Sequence, residues 1–143
     1  MKILVINGPN LGRLDIRDSS IYGDLNYAEL TSIIEIAATK HGFEADVRQS
    51  DNEATIIGWL HEAADKKMPV IINPAAFTHY SFAIRDAADL VKSPLIEVHL
   101  SNPMSREEFR HTSVISGVAN GTIAGFGPNS YVLAIIALKN LIG

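Results

Sequence analysis

The stretch Ile3-Leu4-Val5-Ile6, followed at once by Asn7-Gly8-Pro9-Asn10, decides the fold class of this chain. Four consecutive apolar residues that end in a turn-forming cluster are typical of a strand buried on both faces of a parallel sheet. Parallel strands are joined by crossover connections, which are usually helices. The residues that follow should therefore alternate between helices and short apolar strands.

That alternation continues along the whole chain. Asn26 and Glu29 are placed to cap a first helix, which Gly42 ends. Ser50 and Glu53 form a capping box before a second helix. Further apolar runs and helical spacings predict strands at 44–49, 70–72, 95–100 and 122–126, and helices at 81–91 and from Pro128 toward Leu141. Five strands separated by helices predict an α/β fold with a doubly wound parallel sheet.

The composition limits the possible classes of function. The chain has 143 residues, of which 47% are hydrophobic and 20% charged, which predicts one domain over residues 1–143. Because cysteine is absent, a disulfide framework, a thiolate nucleophile and a cysteine-type metal site are excluded. The net charge is −4 without runs of like charge, and no apolar segment approaches the ~20 residues of a membrane span. We therefore expect a cytoplasmic protein that binds neither nucleic acid nor a membrane.

Three polar loops follow strands that should be neighbours. In the common strand order 2-1-3-4-5, strands one, three and four are adjacent, and ligands bind beyond their carboxyl ends. The loops that follow these strands are 7–10, 73–79 and 101–103. Asn73 and His79 flank the second of them. We expect the functional site where these loops meet.

The segment from Gly8 to Gly23 is long for a connection in a small domain, which is typical of a lid or of a disordered excursion. It contains Arg13, Arg17 and Tyr22. A phenol ionises near pH ~10, so it acts as a base near neutrality only if its anion is stabilised by roughly 3.5 kcal/mol. One guanidinium ~4 Å away supplies about 4 kcal/mol at an effective dielectric constant of ~20, before desolvation is subtracted. Arg17 alone is therefore sufficient in principle to stabilise the Tyr22 anion, and Arg13 is a second candidate for this role. In the alternative interpretation, Tyr22 packs against the first helix and the arginines are solvated.

Glu97, His99 and Ser101 alternate along the fourth strand and therefore share one face. A carboxylate two residues from an imidazole fixes its tautomer and favours its protonated form, which suits a general acid. The alternative is a buried histidine that a carboxylate satisfies for structural reasons. Position at the carboxyl end of a central strand favours the catalytic interpretation.

A capping box at Ser105 and Glu108 predicts a helix that carries Arg106 and Arg110 one turn apart on the same face. Such a pair either holds a carboxylate or a ring hydroxyl, or pairs with surface glutamates. Sequence motifs of phosphate loops, dinucleotide-binding turns, zinc proteases and α/β-hydrolases are all absent, and the histidines form no metal-ligand pattern. A metal-free acid–base enzyme remains as the leading hypothesis.

Six groups of residues occur in a fixed order along nearly the whole chain. They are Ile6-Asn7-Gly8-Pro9-Asn10-Leu11, Ile21-Tyr22-Gly23, Ile72-Asn73-Pro74 with Thr78-His79, Arg85-Asp86-Ala87, Ile96-Glu97-Val98-His99-Leu100-Ser101-Asn102, and Arg106-Glu107-Glu108-Phe109-Arg110-His111. Together they resemble the type II 3-dehydroquinate dehydratases of the shikimate pathway. The resemblance implies a flavodoxin-like three-layer sandwich with the sheet order 2-1-3-4-5.

The resemblance also implies a reaction, the anti elimination of water from 3-dehydroquinate to give 3-dehydroshikimate through an enolate, without metal or cofactor. Tyr22 would remove the proton next to the ketone, and Arg17 would hold it as tyrosinate. Asn10 would help to stabilise the enolate oxygen. His99, oriented by Glu97, would protonate the departing C1 hydroxyl.

Substrate contacts and an assembly are implied in the same way. The residue that matches Asp86 reaches the active site of an adjacent subunit in this family, which implies a homo-oligomer, characteristically a dodecamer of four trimers. The residues implied to bind substrate in the same chain are Asn73, Leu100 and Ser101 at the carboxylate, and His79 and Arg110 at the ring hydroxyls.

Some positions depart from the family pattern, and two other functions compete. Ala75 stands where members often have a glycine, and the residues around Asp15 and Pro128 also differ. No implied catalytic residue is lost, so we expect these differences to affect loop geometry and lid mobility. The competing functions are a flavodoxin-like module that binds a small ligand without catalysis and a structural subunit with a vestigial site. A tyrosine–arginine lid has no obvious use in passive binding.

Overall fold

A computed structural model describes all residues from 1 to 143. Five parallel strands form one sheet in the order β2-β1-β3-β4-β5, as predicted. The strands are β1 (Lys2–Asn7), β2 (Glu44–Gln49), β3 (Val70–Asn73), β4 (Leu95–His99) and β5 (Gly121–Ala124). The chain turns after β5 at Gly125 (φ 97°) and Gly127 (φ 60°), so this strand ends two residues before its predicted end.

Helices cover both faces of the sheet and complete a three-layer sandwich. They are α1 (Ser19–Tyr22), α2 (Tyr27–Lys40), α3 (Glu53–Lys66), α4 (Phe82–Asp89) and α5 (Asn129–Ile142). Along β1, Ile3 and Val5 pack with α2 and α5, whereas Leu4 and Ile6 pack with α3 and α4. Full burial of each such side chain contributes roughly 1.5–3 kcal/mol. The apolar run at 3–6 is continuous because its residues serve two cores.

Two helix starts test the capping predictions. Asn26 caps α2 by accepting a hydrogen bond from the backbone N–H of Glu29, as predicted. The box at Ser50 and Glu53 was the wrong cap for α3, because Asn52 accepts from the Thr55 N–H at 3.2 Å instead. Ser50 Oγ accepts from the N–H of Asn52 and so supports the true cap.

The predicted helix after Ser105 does not form. Residues Pro103–Ser105 and Glu108–His111 form two short 3₁₀ turns, and Arg106 between them is extended (φ −115°, ψ −165°). Ser105 Oγ donates back to the carbonyl oxygen of Asn102, so it is used inside the preceding turn and does not cap a later helix. Arg106 and Arg110 therefore do not share a helix face.

The lid segment is folded over the carboxyl ends of the strands. It contains a 3₁₀ turn at Leu11–Ile16 and the short helix α1, which Asp18 caps through the N–H of Ser20. Leu11, Leu14 and Tyr22 are buried in the same apolar cluster as α2 and α5. None of the helices has the length and apolar character needed to cross a membrane.

Candidate active site

A cavity of about 110 Å³ opens at the carboxyl ends of β1, β3 and β4. Its walls come from the three loops that the sequence places after these strands, together with the lid. Arg17, Arg106, Arg110, His79 and His99 line it, and no carboxylate does. The cavity is therefore suited to a small anion.

The lid supplies a phenol paired with a guanidinium. Tyr22 is 8% exposed, and its hydroxyl oxygen accepts a hydrogen bond from Nη2 of Arg17. The same guanidinium carbon lies 3.6 Å from the centre of the tyrosine ring. Arg13, the other arginine of the lid, instead pairs with Asp15 at 3.1 Å and is largely exposed. Arg17 is thus the lid arginine that meets the phenol.

Three guanidinium groups converge at this end of the cavity. Burial is the main cause that lowers the pKa of Arg17, Tyr22 opposes that shift, and the neighbouring charges of Arg106 and Arg110 lower the pKa further. A negative charge in this place, either a phenolate or a bound carboxylate, relieves the repulsion among them.

β4 supplies an imidazole paired with a carboxylate. His99 Nε2 lies 2.5 Å from Oε2 of the fully buried Glu97. Hydroxyl groups of Thr78, Ser113 and Ser116 donate to the same carboxylate at 2.5, 2.8 and 2.7 Å. Burial by itself raises the pKa of Glu97, but hydrogen bonds from His99, Thr78 and Ser116 outweigh it and hold the pKa below its ordinary value. The ionised carboxylate accepts a hydrogen bond from Nε2–H of His99, and Nδ1 of His99 is left without a protein partner.

The loop after β3 supplies an amide and a second imidazole. Asn73 is 3% exposed, and its Oδ1 accepts from the Ala75 N–H at 3.1 Å. His79 Nδ1 donates to the carbonyl oxygen of Thr112 at 2.8 Å, since a carbonyl only accepts, and this leaves Nε2 for another partner. Gly8 is required beside this loop because a Cβ there would lie 2.6 Å from the carbonyl oxygen of Pro74.

Arg106 lines the cavity and contacts Ser101 there, so it is not paired with a surface glutamate. Its Nη1 donates to Ser101 Oγ at 3.1 Å, and its guanidinium lies 5.1 Å from the centre of the Tyr22 ring. Its Nε is buried without a protein partner. Arg110 lines the cavity and also donates from Nε to Glu107 at 3.0 Å, so it combines a position in the cavity wall with an ion pair to a surface glutamate.

Most of the predicted site residues meet at this cavity. Asn10 lines it from a left-handed backbone position (φ 70°), and its N–H donates to Asp51 at 2.9 Å. Leu100 and Ser101 line it from the end of β4. Asp86 does not, because it lies on the exposed face of α4. No group of three acidic, histidine or cysteine side chains is placed to hold a metal ion.

Comparison with known proteins gives the family. Residues 1–139 match the profile of the family described as Dehydroquinase class II. The chain belongs to the type II dehydroquinase family. It is 54% identical over 135 residues to a 3-dehydroquinate dehydratase of Mycobacteroides abscessus, with 94% of each chain covered.

Solved structures of type II dehydroquinases have the same architecture. The structure from Propionibacterium acnes has a TM-score of 0.95 at 48% identity and covers 97% of this chain and 96% of its own. That from Butyrivibrio crossotus has a TM-score of 0.94 at 48% identity, with 97% of each chain covered. These relatives confirm the resemblance, the α/β fold and the hydro-lyase class that the motifs imply.

Some groups at the dehydroquinase site have no clear signal in the sequence. Ser113 and Ser116, which donate to Glu97, come from a loop with no recognisable motif. Tyr131, which donates to Asn7 and accepts from Asn73, lies in a helix whose apolar pattern predicts only a core residue. Only long-range packing brings these side chains to the strand ends.

Proposed function

We propose that residues 1–143 form one catalytic domain that converts 3-dehydroquinate to 3-dehydroshikimate by anti elimination of water, in the shikimate pathway. The observation that carries this proposal is that a phenol–guanidinium pair on the lid and an imidazole on β4, which is hydrogen-bonded to the buried Glu97 carboxylate behind it, line one cationic cavity. Passive binding needs neither pair.

Tyr22 acts as the base. As phenolate it takes the proton from C2, and the electron pair of that C–H bond moves into the neighbouring carbonyl to give an enolate. The contact with Arg17 supports this role because a guanidinium stabilises the phenolate. Asn10 assists by stabilising the enolate oxygen through a water molecule.

His99 acts as the acid. The enolate collapses, the C1–O bond breaks, and a proton from His99 converts the departing hydroxyl into water. Glu97 orients the ring through Nε2, so the transferred proton comes from Nδ1. Each turnover leaves a proton on Tyr22 and removes one from His99, and exchange with solvent restores both.

The remaining cavity residues bind the substrate. Asn73, the backbone N–H groups at Leu100 and Ser101, and the Ser101 hydroxyl hold the carboxylate. His79 and Arg110 hold the ring hydroxyls. The excess of cationic groups in the cavity supports an anionic substrate. No metal or cofactor takes part in this scheme.

The assembly is a cytoplasmic homododecamer of four trimers, in which Asp86 reaches the cavity of an adjacent subunit. Asp86 is exposed on α4, as a residue directed to another subunit must be. Phe82 is 66% exposed and Leu90 54% exposed at the two ends of the same helix, and both would gain stabilisation from a subunit packed over them. Light scattering should give a mass about twelve times that of the 15.5 kDa chain.

One assay tests the reaction directly. Purified protein treated with a metal chelator is added to 3-dehydroquinate, and the ultraviolet absorbance of the conjugated enone product is followed. We expect a rise with the wild-type protein that is absent with Tyr22→Phe and with heat-denatured protein. No rise from folded, assembled wild-type protein would favour a binding module or a vestigial subunit.

A further inference from the structure

A buried polar network lies directly behind the cavity, and two of its residues, Asn7 and Tyr131, have no role in the proposed reaction. Asn7 and Asn73 end the adjacent strands β1 and β3 and are register partners. The side chain of Tyr131, from the first turn of α5, is fully buried between these strand ends. Its hydroxyl donates to Oδ1 of Asn7 at 2.6 Å and accepts from Nδ2 of Asn73 at 2.9 Å.

The direction of each hydrogen bond in this network is fixed by its chemistry. Oδ1 of Asn7 can only accept, so the single hydroxyl proton of Tyr131 points to it. The oxygen of Tyr131 is then left as an acceptor, and it takes one N–H of the Asn73 amide. Burial raises the pKa of Tyr131, so the hydroxyl keeps its proton.

The Asn73 amide is consequently held at both ends. Nδ2 is fixed by Tyr131, and Oδ1 is fixed by the N–H of Ala75. One N–H of Nδ2 has no partner in the protein, and Asn73 is a wall of the cavity. A donor in this position suits a carboxylate, whereas a flipped amide would present an oxygen and repel it.

We infer that Tyr131 is a positioning residue whose hydroxyl orients the Asn73 amide so that it presents an N–H to the substrate carboxylate. This inference rests on the proposed function, because the substrate must carry a carboxylate there. The carboxylate keeps its charge throughout the elimination, so this contact stabilises the ground state and the transition state equally. Tyr131 therefore acts on KM and not on kcat.

The test is the pair of variants Tyr131→Phe and Tyr27→Phe. For Tyr131→Phe we expect KM for 3-dehydroquinate to rise about fivefold to tenfold, the value of one neutral hydrogen bond, with kcat within about twofold. Tyr27→Phe is the matched control, because its hydroxyl makes only a 3.5 Å contact with Asn7 and does not line the cavity. Its KM should not change. An unchanged KM in Tyr131→Phe would overturn the inference.

A double variant separates positioning from a merely structural role. In an Asn73→Ala background, Tyr131→Phe should raise KM no further, although it still lowers the midpoint of thermal unfolding. Equal rises of KM in both backgrounds would show that Tyr131 acts through general packing and contradict the inference. If Tyr131→Phe fails to fold, Asn7→Ala removes the acceptor of the hydroxyl proton and should raise KM in the same direction; an unchanged KM there also counts against it.

Failure of the inference can be told apart from failure of the proposed function. If the wild-type protein does not convert 3-dehydroquinate, the proposed function fails and the inference falls with it. If the wild-type protein converts the substrate and Tyr131→Phe does so with the same KM, only the inference fails.

Discussion

At the scale of single residues, removal of the Tyr22 hydroxyl should lower the catalytic rate more than the loss of any other group. Tyr22→Phe keeps the ring in its apolar surroundings and deletes only the oxygen that Arg17 contacts. We expect kcat to fall by about 10²–10⁴, the usual contribution of a general base, while substrate affinity stays within about tenfold. Steady-state kinetics and a binding titration check both numbers. Tyr80→Phe, at an exposed tyrosine outside the cavity, is the control, and a variant at Tyr22 that keeps its turnover would remove it as the base.

Ala75 is the second residue whose role can be tested alone. It has φ 52°, a left-handed conformation that costs an alanine roughly 1–2 kcal/mol. Glycine removes this strain but adds roughly 0.5–1 kcal/mol of unfolded-state entropy, so Ala75→Gly should leave the free energy of unfolding unchanged or raise it by about 1 kcal/mol. Ala76→Gly, the control in the same 3₁₀ turn at Ala75–His79, should lower it by roughly 0.5–1 kcal/mol. Chemical denaturation measures both free energies of unfolding. Equal decreases in Ala75→Gly and Ala76→Gly would show that the backbone of Ala75 is not strained.

At Ala75 the family pattern and the backbone conformation can be compared directly. Glycine is common in the family at this position, and the structure gives the reason, since the backbone turns there with positive φ so that its N–H can reach Asn73. The departure from the family pattern therefore falls at a position whose backbone conformation favours glycine. It does not predict the conformation, because an alanine with positive φ depends on contacts from the surrounding loop.

At the scale of elements, the lid should depend on one of its two arginines. Arg17 contacts Tyr22 inside the cavity, whereas Arg13 pairs with Asp15 near the surface. Arg17→Ala should lower kcat by at least about tenfold, and Arg17→Lys should retain part of it by keeping the charge without the planar fork. Arg13→Ala is the matched control and should stay within about twofold. Equal losses at both positions would mean that the total charge of the lid matters and not the contact with Tyr22.

The edge strand β2 gives a stability prediction that depends on pH. Hydrogen bonds from Arg48 are the main cause that lowers the pKa of Asp46, and Arg48 also contacts Glu62 on α3. A carboxyl group whose pKa is lower in the folded state stabilises the protein above its unfolded pKa, and this contribution is lost as the pH falls through the folded value.

Asp46→Asn should therefore destabilise the protein by about 0.5–1 kcal/mol at pH 7, as expected for a pair about one-quarter exposed. The difference from wild type should shrink as the pH falls through the lowered pKa of folded Asp46 and disappear below it, where the wild-type carboxyl is also protonated. Urea denaturation at pH 7 and at a series of acidic pH values measures this. If Asp46→Asn remains less stable than wild type in acid, the lost stability comes from packing and not from the charge of Asp46.

Prediction from sequence also succeeded and failed element by element. The strands were predictable because a two-sided core demands a continuous apolar run, and 3–6 has one. The helix after Ser105 was not, because a capping box describes only local hydrogen bonds, and Asn102 takes the Ser105 hydroxyl into another turn. With that turn, Arg106 becomes extended and reaches Ser101.

At the scale of the whole molecule, the carboxyl ends of three strands place the site, and the sheet order alone indicates where it lies. The pairing of Glu97 with His99 was predictable from their spacing on one strand. The hydroxyl groups around Glu97 and the network through Tyr131 were not, because each joins residues that are far apart in the chain. The implied role of Asp86 also depends on a long-range contact, in this case one with a second chain, because Asp86 lies outside the cavity of its own chain.

If Asp86 completes the site of an adjacent subunit, two inactive variants should restore each other. Each site in an assembly of Tyr22→Phe and Asp86→Ala chains draws Tyr22 from one subunit and Asp86 from the next. Random assembly of equal amounts leaves about one site in four with both native residues, so coexpressed chains should recover about a quarter of wild-type activity. A site that used both residues of one chain would recover nothing, because every chain in the mixture carries one of the two lesions. Mixing the purified variants without dissociating them is the control, and activity there would point to subunit exchange.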